Sequence, residues 1–92
     1  MQKYVIEREL VGAGKMSADE LRDLSTASNK VLAGLGPDIQ WVQSFVTDDK
    51  IYCLYLATGE DIVLEHARCG GFPANTVSVV RNIIDPTTAA AA

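Results

Sequence analysis

The sequence predicts a single α+β domain in which four strands and two helices follow one another in the order β-α-β-β-α-β. Three observations carry this prediction. Four short stretches alternate apolar with polar residues or are rich in β-branched and aromatic residues, as strands are. Two stretches between them combine helix-start signals with apolar residues at helical spacing. The 92 residues are the length of one domain, which we place at residues 1–86 with a flexible C-terminal tail at residues 87–92.

The first strand is predicted over residues 3–10, where side chains alternate between two sides. One side carries Tyr4, Ile6, Arg8 and Leu10, whereas two glutamates lie on the other. We expect the first side to face the helices, because burying the second would bury more charge. Arg8 would then require a partner, either a carboxylate in an internal ion pair or an anionic ligand.

The first helix is predicted to begin after Ser17, which has the spacing of a capping box with Glu20. Its apolar face consists of Leu21, Leu24, Ser28, Val31 and Leu35. Ser28 is the polar member of this face, and we expect its hydroxyl to bond a backbone carbonyl one turn earlier. Gly36 and Pro37 end the helix.

The second half of the chain is predicted to form a hairpin, a helix and a last strand. The hairpin strands cover residues 39–47 and 51–57, which are rich in β-branched and aromatic residues and are joined by a short polar link. The second helix runs from about residue 60 to residue 69, where two glycines end it. The last strand covers residues 77–84.

Two split β-α-β units of this kind form one antiparallel sheet with both helices on one face, which is a ferredoxin-like sandwich. A domain of this size buries only about 60 to 65% of the surface that its unfolded chain exposes, so a second copy is a natural source of further stability. We therefore expect a homodimer in the form of a dimeric α+β barrel.

The composition argues against several classes of protein. The formal net charge is −4 and no cluster of basic residues interrupts it, so binding to nucleic acid is not expected. No apolar run approaches the roughly 20 residues that span a bilayer, and the N-terminus lacks the apolar core of a signal peptide. We expect a cytoplasmic protein with no membrane partner, in which Cys53 and Cys69 stay reduced.

The chain has one histidine, His66, on or beside the side of the second helix that faces the sheet. One interpretation is a packed core residue with a ring nitrogen bonded to a backbone carbonyl. The other is a metal site, because Cys69 lies three residues later and brings a sulfur towards the imidazole. Asp61 and Glu65 add carboxylates on the same helix, although solvated surface charge is their ordinary role. The candidate metal ligands are therefore His66, Glu65, Asp61 and Cys69.

The cleft between the helices and the sheet is the second candidate site. Arg8 would hold an anion there, and His66 would move a proton. Trp41 together with Tyr52 or Tyr55 would supply apolar walls. The alternative is that these aromatic residues only pack in the hydrophobic core. No phosphate-binding loop and no catalytic triad can be assembled from the sequence, so an enzyme is the less expected outcome.

Five segments of the chain resemble a known family. They are YVIER (residues 4–8), GAGK (12–15), IQWVQSFVTDDKIYC (39–53), EHARCGGFPAN (65–75) and DPTT (85–88). Together they are similar to a family of small bacterial ferredoxin-like domains of unknown function described as nickel-binding. The resemblance implies a dimeric α+β protein with nickel sites on the dimer surface and a part in nickel sequestration. It carries no ligand motif over to named residues of this chain.

Two hypotheses about function follow from these observations. The first is a small cytoplasmic homodimer that binds a divalent metal ion, nickel above others, and is not an enzyme. The second is a dimeric α/β-barrel protein that binds or transforms a small anionic organic molecule in the helix–sheet cleft. A third alternative is an interaction module whose only function is to associate through its dimer surface.

Overall fold

The computed structural model describes residues 1–90 and has the predicted element order. Its strands are β1 (Gln2–Glu9), β2 (Ile39–Val46), β3 (Lys50–Ala57) and β4 (Thr76–Val79), and its helices are α1 (Ala18–Leu35) and α2 (Glu60–Gly70). Two short 3-10 helices lie at Ala13–Lys15 and Pro86–Ala90. The four strands form one antiparallel sheet in the order β2-β3-β1-β4. The predicted ferredoxin-like α+β fold is thereby confirmed.

The core lies on the face of the sheet that the helices cover. In β1 and β3 every second residue is buried, and the register places Tyr4 opposite Tyr55 and Ile6 opposite Cys53. Ile6 and Ala57 have no exposed surface, and neither has Val63 of α2, which packs on them from above. The predicted inward side of β1 is correct, so the Arg8 side chain points into the protein.

The capping box predicted at the start of α1 is present. The Ser17 hydroxyl accepts from the Glu20 backbone N–H, and the Glu20 carboxylate accepts from the Ser17 backbone N–H, each at 3.1 Å. Gly36 ends the helix at φ +83°, a left-handed conformation that glycine adopts without strain. Along its 18 residues α1 buries only one residue fully, Ser28, and its leucines are half-buried.

The last strand is shorter than the prediction of residues 77–84. Pairing with β1 extends only from Thr76 to Val79, and a final bond joins the Val80 N–H to the Lys3 carbonyl at 2.8 Å. Because β1 begins at Gln2, the chain beyond Val80 has no strand left to pair with. Its β-branched residues Ile83 and Ile84 are consequently exposed, at 68% and 79%.

The C-terminal residues make few contacts with the domain. The 3-10 helix Pro86–Ala90 contains no buried residue, and it follows Asp85, whose carboxylate accepts from the Thr87 N–H at 2.8 Å. Of the predicted tail at residues 87–92, the last two residues lie outside the part of the chain that the structure describes. Within residues 1–90, no helix combines the length and the apolar character that crossing a membrane requires.

Candidate functional site

His66 lies in the centre of the protein, with no exposed surface. Its ring is packed between Tyr55 and Phe72, with centroid distances of 5.2 and 5.3 Å. Nε2 is 3.2 Å from the Ser28 hydroxyl of α1, whereas Nδ1 has no hydrogen-bond partner in the described residues. The prediction that Ser28 and His66 each bond a backbone carbonyl is therefore wrong. The packing of α1 against α2 brings the two side chains together, and they bond each other.

The environment of His66 keeps its imidazole neutral at neutral pH. Burial, followed by the nearby positive charge of Arg8, lowers the pKa of His66 from 6.5 to about 4. Burial also raises the pKa of the Tyr55 phenol, which lies in the same cluster. Arg8 is consequently the only member of this buried cluster that is charged at neutral pH.

Arg8 is 5% exposed and has no carboxylate partner in the described residues. Its guanidinium donates to the Pro73 carbonyl and, at 3.4 Å, to the Tyr55 hydroxyl, and its carbon lies 5.6 Å from the centroid of the Phe72 ring. The predicted internal ion pair is wrong. The guanidinium contacts Tyr55, Phe72 and the Pro73 carbonyl, and none of these residues is acidic.

The loop after α2 shapes this cluster. Gly71 ends the helix at φ +68°, and the Phe72 N–H donates to the Ala67 carbonyl at 2.9 Å. Gly70 leaves room for the Phe72 ring, since a Cβ at that position would lie 2.1 Å from a ring carbon. The turn therefore places Phe72 on His66 and aims the Pro73 carbonyl at Arg8.

A cavity of about 240 Å³ lies between α1 and the sheet, beside this cluster. Its lining residues are Arg8, Leu10, Leu21, Leu24, Ser25, Ser28, Trp41, Ser44, Val46, Ile51, Cys53, Tyr55, Phe72 and Pro73. Trp41 and Tyr55 thus have the predicted position in a wall. The prediction is wrong for Tyr52, which lies three positions before Tyr55 in β3 and therefore on the other face of the sheet.

The predicted metal ligands do not converge on one point. Among the described residues, no group of three or more histidine, cysteine, aspartate or glutamate side chains is placed to hold an ion. His66 faces the sheet, whereas Cys69 and Asp61 are exposed on α2. Glu65 does approach Cys69, with a distance of 3.3 Å between the sulfur and a carboxylate oxygen.

The charges around Glu65 are set by Arg68 and Cys69. Glu65 accepts from the Arg68 Nε at 2.9 Å, and this bond, followed by the one from Cys69, lowers the pKa of the Glu65 carboxyl. The same carboxylate raises the pKa of the Cys69 thiol by accepting its proton in a hydrogen bond. Both cysteines are free, Cys53 in the core and Cys69 at the surface. The exposed side of α2 therefore carries one thiol and one carboxylate in contact.

The fold defines the chain as a small ferredoxin-like α+β protein, whose candidate sites are the cavity between α1 and the sheet and the thiol–carboxylate pair on the exposed side of α2. It belongs to the family described as nickel responsive protein SCO4226-like, whose model matches residues 4–80. A crystal structure of SCO4226 from Streptomyces coelicolor A3(2) is similar, with a TM-score of 0.75 and 16% sequence identity over 89% of this chain and 99% of that chain. At this identity the likeness shows the shared fold alone. No curated protein matches the chain.

Proposed function

We propose that this protein binds Ni²⁺ in the cell's response to the metal and is not an enzyme. The family description supports nickel as the ion. The contact between Cys69 and Glu65 is the structural observation that supports binding by this chain. A thiolate and a carboxylate on successive turns of one helix can hold the same divalent ion.

The ligands in this proposal are Cys69 and Glu65. Asp61 lies one turn before Glu65, where it adds negative charge. His66, the remaining predicted ligand, is enclosed in the core and its Nε2 is engaged with Ser28. Structural metal sites use four protein ligands and catalytic ones three, so a site with two is completed by water and exchanges its ion readily. Such exchange suits sequestration, and the cytoplasm, where thiols stay reduced, is the location that we propose.

Replacing Cys69 by serine is expected to weaken Ni²⁺ binding at least about ten-fold, because even indirect supports of a metal site are worth that much. Wild-type affinity is expected to rise with pH, since the metal must displace the thiol proton whose pKa Glu65 raises. Isothermal titration of metal-free protein with Ni²⁺ at several pH values measures both effects. Glu65→Gln should also weaken binding.

Two control variants locate the site. Glu60→Gln removes an exposed carboxylate from the same helix and is expected to leave the affinity unchanged. His66→Gln should likewise retain Ni²⁺ binding, because the side chain that it replaces is buried. Binding that is lost in His66→Gln but retained in Cys69→Ser would contradict the assignment of the ligands.

The proposal includes a homodimer formed through the helix-free face of the sheet. This face carries half-exposed apolar side chains from three strands, which are Val5, Phe45, Tyr52, Leu54 and Leu56. Phe45 alone is 52% exposed, and helices cover the other face only. A second copy would remove this apolar surface from water and supply the burial that a small domain lacks.

Leu54→Lys is expected to convert the dimer to a monomer, because it places charge in the centre of the helix-free face. Sedimentation equilibrium, with circular dichroism to confirm folding, measures the result. Leu64→Lys is the matched control, since Leu64 is exposed on α2 at 43% and lies away from that face. A wild-type chain that sediments as a monomer at high concentration would refute the dimer.

A further inference from the structure

Within residues 1–90, no carboxylate forms an ion pair with the charged side chain of Arg8. A guanidinium in a protein interior normally pairs with a carboxylate, because removing it from water is otherwise costly. Here it is 5% exposed, and its two bonds go to neutral oxygens, the Pro73 carbonyl and the Tyr55 hydroxyl. A guanidinium has five N–H donors, so several of its donors have no acceptor among the described residues. His66 adds no negative charge, since it is neutral or cationic.

The cavity brings this uncompensated charge to a space that a ligand can enter. It is partly open to solvent, and Arg8, Tyr55 and Phe72 line one part of it. Leucine, isoleucine, valine and tryptophan side chains form most of the remaining wall. Three serines also line it, but Ser25 already bonds the Leu21 carbonyl, Ser44 accepts from Trp41, and Ser28 is engaged with His66. Among the residues that line the cavity, Arg8 is the one charged side chain.

The volume limits the size of the occupant. The cavity volume of about 240 Å³ is smaller than that of the pockets that hold drug-sized ligands. One planar ring with a short substituent fits this space. A single positive charge and apolar walls favour a monoanion with an apolar body over a polyphosphate or a sugar.

We propose that this cavity binds a small monocarboxylate with an apolar body, such as an aromatic acid, with its carboxylate on Arg8. The fork of the guanidinium matches a carboxylate in a bidentate arrangement, and the body of the ligand would lie against Trp41 and the leucines of α1. This site is separate from the nickel ligands that we propose, which lie on the exposed side of α2.

Benzoate is the ligand to test, with benzamide as its neutral counterpart of the same shape. The chain has one tryptophan, and Trp41 lies in the cavity wall, so its fluorescence reports occupancy. The single histidine, His66, lies behind Phe72 and gives one set of imidazole NMR signals. We expect saturable fluorescence changes and shifted imidazole signals with benzoate, and affinity at least about ten-fold lower for benzamide.

Four variants test the position of the ligand. Arg8→Gln is expected to lower the affinity for benzoate at least about ten-fold, and Arg8→Lys to recover part of the loss. Arg22→Gln, which removes an exposed guanidinium on α1, should leave the affinity unchanged. Ser25→Leu fills the cavity without altering the buried cluster, so it keeps the test decisive if Arg8→Gln does not fold. Ser25→Leu should abolish benzoate binding, whereas the midpoint of its thermal unfolding should stay the same or rise.

The proposal is overturned if benzoate gives no saturable signal at millimolar concentration. It is also overturned if benzamide binds as tightly as benzoate, or if benzoate binds Ser25→Leu as it binds the wild type. Ni²⁺ titrations of the same variants should be unchanged. Benzoate binding and Ni²⁺ binding are therefore tested independently, and a negative result for one does not contradict the other.

Discussion

Acidification from pH 7 to pH 4 is expected to lower the free energy of unfolding by about 3 kcal/mol through His66 alone. The imidazole has a pKa of about 4 in the folded protein, against its ordinary value of 6.5 in the unfolded chain. Between these two values the unfolded chain binds a proton that the folded protein excludes, so stability falls as pH falls. The loss begins near pH 6.5 and is complete below pH 4.

Urea unfolding at pH 7, 5.5 and 4 measures this effect, and His66→Gln separates it from other titrations. Glutamine keeps a polar group that can bond Ser28 but does not titrate. The carboxylates of the chain titrate in both proteins, so the difference between the two pH profiles belongs to His66. Equal slopes for the wild type and His66→Gln between pH 6.5 and 4 would show that the imidazole is not held neutral.

Gly70→Ala is expected to destabilise the protein by about 1 to 3 kcal/mol, the usual cost of overpacking. Helix propensity predicts the opposite sign, since alanine is favoured over glycine inside a helix by up to about 1 kcal/mol. The clash decides the outcome, because the new Cβ would lie 2.1 Å from the Phe72 ring. Phe72 cannot move freely, as it packs on His66 and lies beside the Arg8 guanidinium.

Gly34→Ala is the matched control for this substitution. Gly34 lies in α1, and no neighbouring atom lies within 4 Å of the Cβ that alanine would add. It should stabilise the protein by roughly 0.5 to 1 kcal/mol, as propensity alone predicts. Thermal or urea unfolding compares the two variants. Stabilisation by both would mean that Phe72 does not pack against Gly70.

The elements of this fold can be predicted from local sequence. The Ser17 capping box, the helix end at Gly36 and the alternation in β1 each depend on residues close together in the chain, and the structure has all three. The hairpin of β2 and β3 follows from the same kind of signal. The end of β4 does not, because the length of that strand depends on where its partner β1 begins.

The site was less predictable because its contacts join distant parts of the chain. Ser28 and His66 are 38 residues apart, and nothing in either local pattern indicates that they meet. One of the two acceptors for Arg8 is the backbone oxygen of Pro73, and a backbone acceptor cannot be predicted from residue type. The inward direction of Arg8 was predictable from alternation, whereas the absence of a carboxylate opposite it was not.

The cavity also makes α1 less firmly held than the sheet beneath it. The first half of α1 lies over it, so Leu21 and Leu24 face space where a closely packed protein would have neighbouring atoms. The central strands β1 and β3, by contrast, carry the fully buried core. We expect α1 to open as a unit while the sheet persists, with its amide hydrogens exchanging before those of the sheet. A ligand beneath α1 would slow that exchange, coupling occupancy of the cavity to the motion of one helix.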